Sequence, residues 1–283
     1  MPTLAVWSGT SRTATYLIPN ALEAGYKVRA IVRSTSRFYH KVDKHDRLSA
    51  LELHDVNEIE TLREHLDGAD TVVITMGLPF DEPTTILQDA VQSCVAAIRL
   101  IIKDGGKQPK ILLLSSSSLA PTLDYTGKST NPDATKADLV RRFIRYQVFN
   151  YEYDDLERAQ LYLEKQSSWL DYSVVMPGGL VDVPEPEEEL RKWKFSTTKI
   201  PDGFISYQRL AAAMMGLIDG GMSEGKNVMP IPTTEVKMGF KDLESLRANM
   251  VQYLKVSVLL PALKGGTLVG IGLFAGLAIA RSR

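Results

Sequence analysis

The 283-residue sequence contains one cysteine, Cys94, so no internal disulfide can form and a reducing compartment is expected. Cys94 lies in the apolar helical run AVQSCVAAIRLII, a setting for a packing residue rather than a nucleophile. Net charge is also nearly lacking: 33 basic against 34 acidic residues leave −1, which removes the electrostatic footprint of nucleic-acid binders. No nucleic-acid partner is therefore expected. The four histidines, His40, His45, His54 and His65, are scattered without metal-ligand spacing, and no metal site is expected. There is neither a Walker turn nor a hydrolase elbow, which argues against P-loop phosphoryl transfer and elbow-type hydrolysis. Met1-Pro2-Thr3 leads directly into an apolar strand, so no signal peptide is expected and the cytoplasm is the expected location.

What is present is an alternation of apolar strands and amphipathic helices over the first 180 residues. TLAVWS (3–8) ends at Gly9, and residues 11–24 carry Ala14, Leu17, Ile18, Ala21 and Leu22 at helical spacing up to Gly25. KVRAIV (27–32), ALEL (50–53), DTVVITMG (70–77), KILLLSSSS (110–118), DYSVVMPGG (171–179) and NVMPIP (227–232) read as further strands. Helices are predicted over NEIETLREHLDGA, near 84–103, near 151–166, and from Gln208 to Ile218 with Ser206 as N-cap. The acidic, proline-containing VDVPEPEEELRKWKF (181–195) is expected to be irregular. Strands that are apolar at every position are buried on both faces. The pattern predicts an α/β fold: a Rossmann-like doubly wound parallel sheet with a small C-terminal cap and an apolar C-terminal helix. One domain is expected over residues 1–255, followed by a tail at 256–283.

In such a sheet a ligand binds beyond the carboxyl ends of the strands, where strand order reverses. The turn after the first strand, leading into a helix N-terminus, is the place for a pyrophosphate. Gly9 fits a tight turn, Thr10, Ser11 and Thr13 offer small hydroxyl side chains, and Arg12 offers a guanidinium. Arg33 at the end of the second strand, with Arg37, suits a ribose 2′-phosphate, where an acidic residue would bind a 2′-hydroxyl. Asp55 and Val56 after the third strand stand beside the expected adenine, and Met76 and Gly77 after the fourth let backbone run close to a ribose. Ser115 and Pro177, at the ends of the next two strands, complete a candidate set for NADP(H).

The segments VWSGTSRTATYLIPNALEAGYKVRAIVR, LELHDVNEIETLREHLDGADTVVITMG, ILLLSSSS and SSWLDYSVVMPGGLVD, with ISYQRLAAAMMGLI further on, resemble the atypical short-chain dehydrogenases/reductases, in particular the NmrA-like NAD(P)H-binding group. The resemblance covers roughly residues 3–232. It implies a Rossmann fold, NADPH as cofactor, and either reduction of small carbonyl compounds or redox sensing without catalysis. The turn departs from the family's GxxGxxG pattern at Arg12 and Thr15. Short-chain reductases generally protonate the substrate oxygen with a tyrosine whose pKa is lowered by a lysine four residues later. None of the eleven tyrosines here has that partner: Tyr151 precedes Asp155, Tyr153 precedes Glu157, and Tyr125-Thr-Gly-Lys128 misses by one. The remaining catalytic candidates are Tyr153, which starts the helix where the family's tyrosine resides, and Ser116 and Ser117 of the serine run at a strand end. Arg158 reads as a surface helix arginine. Three functions stay open: reduction of a small apolar carbonyl or enone substrate, nucleotide sensing or partner binding without redox chemistry, and isomerisation or cyclisation in the same pocket.

The tail VSVLLPALKGGTLVGIGLFAGLAIARSR has no charged residue from Gly265 to Ala280. With the run from Val256 it reaches the length that crosses a bilayer core of about 30 Å. Gly266-x-x-x-Gly270 and Gly272-x-x-x-Gly276 suit helix pairing, so membrane association or an oligomer is expected through this tail.

Overall fold

The computed structural model describes residues 1–79, 82–119, 150–197, 201, 203–220 and 226–236. The tail at 256–283, with its expected membrane or subunit contact, and the Tyr125–Lys128 segment lie outside the described residues. Among the described residues no helix is long and apolar enough to cross a membrane.

In chain order the elements are β1 (Thr3–Trp7), α1 (Arg12–Glu23), β2 (Lys27–Val32), α2 (Thr35–Tyr39), β3 (Leu48–Glu52), α3 (Ile59–Leu66), β4 (Thr71–Ile74), α4 (Ile86–Lys103) and β5 (Lys110–Leu114). Then follow α5 (Asn150–Glu164), β6 (Tyr172–Val175), β7 (Gly179–Val181), α6 (Glu187–Leu190), β8 (Trp193–Ser196), β9 (Phe204–Ser206), α7 (Tyr207–Asp219) and β10 (Lys226–Pro232). The main sheet has the order β3-β2-β1-β4-β5-β6-β10-β8, parallel throughout except for β8, which pairs antiparallel with β10. A second, two-stranded parallel sheet pairs β7 with β9.

The double burial expected from continuously apolar strands is visible in β1. Leu4 and Val6 pack with Leu17, Ile18, Leu210 and Met214 on the face of α1 and α7, while Ala5 and Trp7 pack with Leu66, Val91 and Ile98 on the face of α3 and α4. Each face is a separate apolar layer, the arrangement that buries a parallel sheet on both sides. Helix starts follow local chemistry. Ser11 Oγ accepts from Ala14 N at 3.2 Å, and Ser206 Oγ accepts from Arg209 N at 3.0 Å, each removing an orphan donor of its helix. Gly25 follows α1 with a φ of 89°, which favours glycine.

Two expectations are corrected. The fifth strand stops at Leu114 rather than 118, because Ser117 N turns to donate to Pro177 O at 2.9 Å and Ser117–Leu119 winds into a 3₁₀ turn. The acidic stretch expected to be irregular holds α6 and β8.

Candidate functional site

Strand order reverses between β1 and β4, since β2 and β3 lie on one side of β1 and the chain returns to place β4 on the other. The crevice at the carboxyl ends of these strands is therefore the expected ligand position. Gly9 stands there, but not as the strained turn residue. A Cβ on Gly9 would lie 3.0 Å from Ala30 Cβ, 3.2 Å from Val32 Cγ1 and 3.3 Å from Phe38 Cε2, so glycine here lets the turn press against β2 and α2. The positive φ falls one residue earlier, on Ser8, at 67°.

The hydroxyls of the turn are unequal. Ser11 Oγ donates to Thr75 Oγ1 at 2.8 Å, and Thr75 in turn donates to Trp7 O at 3.2 Å, so the Ser11 proton locks the turn onto the end of β4. Thr13 is only 2% exposed. Thr10 remains partly exposed, and Lys41 Nζ reaches its carbonyl at 3.4 Å. The backbone N–H groups of Arg12 and Thr13 find no acceptor among the described residues. Thr15, in the place of the third glycine, donates its hydroxyl to Arg12 O at 2.8 Å.

Arg33 directly follows Val32, the residue against which Gly9 packs, and so emerges beside the turn. Arg33 and Arg37 are both exposed, and neither side chain has a partner among the described residues. Ser34 caps α2, its hydroxyl accepting from Arg37 N at 3.5 Å, which sets the two arginines on one short turn. Glu52 at the end of β3 accepts from Thr35 N at 2.8 Å and Thr35 Oγ1 at 2.9 Å, and these bonds hold its carboxyl below the ordinary range. Asp55 folds into a local turn, its Oδ1 accepting from Asn57 N at 2.9 Å while its own N–H donates to Glu58 at 2.9 Å. Val56, Met76 and Leu78 pack, partly buried, along the rim of the α3–α4 layer. Gly77 is exposed with nothing within 4 Å of where a Cβ would sit, leaving its backbone open to approach.

The catalytic candidates come together. Ser116 Oγ donates to the Tyr153 hydroxyl at 3.2 Å, joining the exit of β5 to the start of α5. Ser117, by contrast, is buried, with its N–H on Pro177 O, and serves the turn. Ser115 is 8% exposed and its Oγ has no hydrogen-bond partner among the described residues, an orphaned polar atom at the carboxyl end of the sheet. Such a group is accounted for when a ligand supplies the missing bond. Arg158 is tied away from the crevice, donating to Gln88 Oε1 at 2.8 Å and Thr84 O at 2.7 Å. Cys94 is buried and its thiol is pushed up to about 12, in keeping with a packing role.

Several residues that matter were not singled out in the sequence. Asp155, fully buried, accepts from Leu87 N at 3.0 Å and Gln88 N at 2.9 Å and so caps α4 from the neighbouring helix. Arg209, 0% exposed, pairs in a fork with Glu185 and donates to Thr234 O at 2.9 Å, while Thr234 Oγ1 donates to Glu189 at 2.6 Å. Ser206 also bonds Glu185. This network fastens the acidic stretch after β7 onto α7, and Tyr16 on α1 reaches Asp182 at 3.3 Å. The available signal was one arginine directly before the apolar stretch LAAAMMGLI, three residues after a serine cap.

A family model described as NAD(P)H-binding matches residues 9–220. The oxidoreductase AgnL4 of Paecilomyces divaricatus is 28% identical over 239 residues, covering 81% of this chain and 84% of its own. The oxidoreductase ordB of Dothistroma septosporum is 29% identical over 204 residues, covering 70% of each chain. Among solved structures, a short-chain dehydrogenase/reductase of Veillonella parvula in complex with NADP matches with a TM-score of 0.61 at 12% identity, over 81% of this chain and 94% of its own, a likeness of fold. The family match begins at Gly9 in the turn after β1 and ends at Gly220, where α7 stops. This chain belongs to the NAD(P)H-binding family, among relatives named as oxidoreductases.

Proposed function

We propose that the protein is an NADPH-dependent reductase of a small apolar carbonyl or enone. The observation that carries this reading is the Ser116–Tyr153 hydroxyl pair, 3.2 Å apart at the exit of β5. NADPH, when bound, supplies the hydride. Ser116 donates to the phenol oxygen and so orients Tyr153, the proposed proton donor to a substrate oxygen. The orphaned Ser115 hydroxyl, the free N–H groups at the start of α1 and the open backbone at Gly77 fit a dinucleotide laid across the strand ends. Arg33 and Arg37 would hold its 2′-phosphate, the feature that separates NADPH from NADH. Met76 and Leu78, partly buried beside the same layer as Tyr153, give the crevice an apolar wall and favour an apolar substrate.

The test is NADPH consumption with a panel of apolar aldehydes, ketones and enones. A turned-over substrate is expected, with Tyr153→Phe lowering kcat by at least about a hundredfold and leaving NADPH affinity unchanged. One observation favours a second reading: the residue four after Tyr153 is Glu157, not a cation that would ease phenol deprotonation. Tight NADPH binding with no consumption across the panel would favour nucleotide sensing, or isomerisation or cyclisation in the pocket.

A further inference from the structure

Where the family pattern has its second glycine, this chain has Arg12, and the surroundings give that side chain a task. Arg12 opens α1, is exposed, and places its guanidinium carbon 5.7 Å from the ring centre of Tyr207, the first residue of α7. The two helices pack against each other, so the pair bridges two neighbouring helix starts. α1 carries no acidic residue in its first turn to offset the positive end of the helix. The backbone N–H groups of Arg12 and Thr13 add to the same field, without acceptors among the described residues. Of the nearby hydroxyls, Ser11 has given its proton to Thr75 and Thr13 is nearly buried, which leaves Thr10 and the exposed Arg12 as the accessible side chains of the turn.

We infer that Arg12 is the pyrophosphate ligand of this site, with Tyr207 as the positioning residue that holds the guanidinium over the turn. A charge-assisted pair here replaces the close backbone approach that glycine would permit. The inference rests on the NADPH reading given above and divides the phosphate contacts in two. The pyrophosphate is common to NADPH and NADH, so Arg12 acts on both nucleotides, whereas Arg33 and Arg37 act on the one that carries a 2′-phosphate.

Calorimetric titration of the full chain with NADPH, and separately with NADH, tests it. Arg12→Ala is expected to weaken both nucleotides alike, by about tenfold. Arg12→Lys, which keeps the charge but loses the planar fork, is expected to weaken both by less. Tyr207→Leu is expected to weaken both by roughly threefold. Because Arg12 is exposed, Arg12→Ala should melt at the wild-type temperature without nucleotide, which separates a lost contact from a lost fold. Unchanged or tighter binding by Arg12→Ala, or weakening confined to NADPH, overturns the inference while the NADPH reading survives. Failure of the wild type to bind either nucleotide overturns both.

Discussion

Tyr153 has an ionisable neighbour whose position shapes the pH response of the protein. Glu152 lies at i−4, i−7 and i−11 from the buried Leu156, Ala159 and Leu163, so it begins the core-facing stripe of α5 at the end nearest the crevice. Burial pushes its carboxyl from the ordinary 4.5 up to about 7. A carboxyl raised in the folded state binds a proton that the unfolded chain has already released, so its stabilising contribution is full below about pH 4.5 and fades as pH rises through about 7. Allowing for partial exposure, the loss between pH 5 and 8 is roughly 2 kcal/mol. Urea unfolding at a series of pH values should show this decline in the wild type and a flatter profile in Glu152→Gln. The residue scale also explains the turn. Sequence pattern assigns the turn's demand to Gly9, yet the left-handed backbone is on Ser8, and Gly9 is fixed instead by contact with β2 and α2. Spacing locates such a turn, but only packing tells which of two adjacent residues carries the strain and which the close approach.

At the scale of elements, α4 is started from outside. Thr85 precedes it, but the Thr85 hydroxyl donates to Asp89 at 2.8 Å and makes no cap bond; Ile86 N donates to Thr84 Oγ1 at 3.2 Å, and the next two amides go to Asp155 on α5. Asp155→Ala should therefore destabilise the fold by about 2 kcal/mol, with Asp155→Asn losing less, as measured by urea unfolding. Elements whose signals are local were legible in the sequence: β2 over 27–32, α1 from its apolar spacing up to Gly25, and α7 behind Ser206. Those that depend on distant partners were not. β8 exists because β10 pairs with it across more than thirty residues of chain, and its own four residues, Trp193–Ser196, carry no long apolar run. The Asp155 cap joins residues 68 apart in sequence and gives no periodic sign. The candidate site shows the same division. Gly9, Arg33 and the serine run could be placed from strand ends, but the pairing of Ser116 with Tyr153 required the fold, and Tyr153 was found through family position rather than through any charge beside it.

For the molecule as a whole, one buried ion pair fastens the segment after β7 to α7. Arg209 and Glu185 have side chains that are 0% and 5% exposed, and both are satisfied by further bonds from Ser206 and Thr234. Removing one partner leaves a buried charge, so Arg209→Met should cost about 3–5 kcal/mol, while Arg209→Met combined with Glu185→Leu should cost less than either single change. A thermodynamic cycle by urea unfolding checks this, and additive losses would show that the two groups do not depend on each other. Near the same network Tyr207 of α7 lies beside Arg12, and Asp182 of the segment accepts from Tyr16 on α1. The most direct test of the proposed NADPH binding is calorimetric titration of the wild type and of Arg33→Ala with NADPH and NADH. The predicted result is tighter binding of NADPH than of NADH by the wild type, with Arg33→Ala weakening NADPH by about tenfold and leaving NADH unchanged. No binding of NADPH at millimolar concentration, or equal affinity for both nucleotides that Arg33→Ala does not alter, would contradict it.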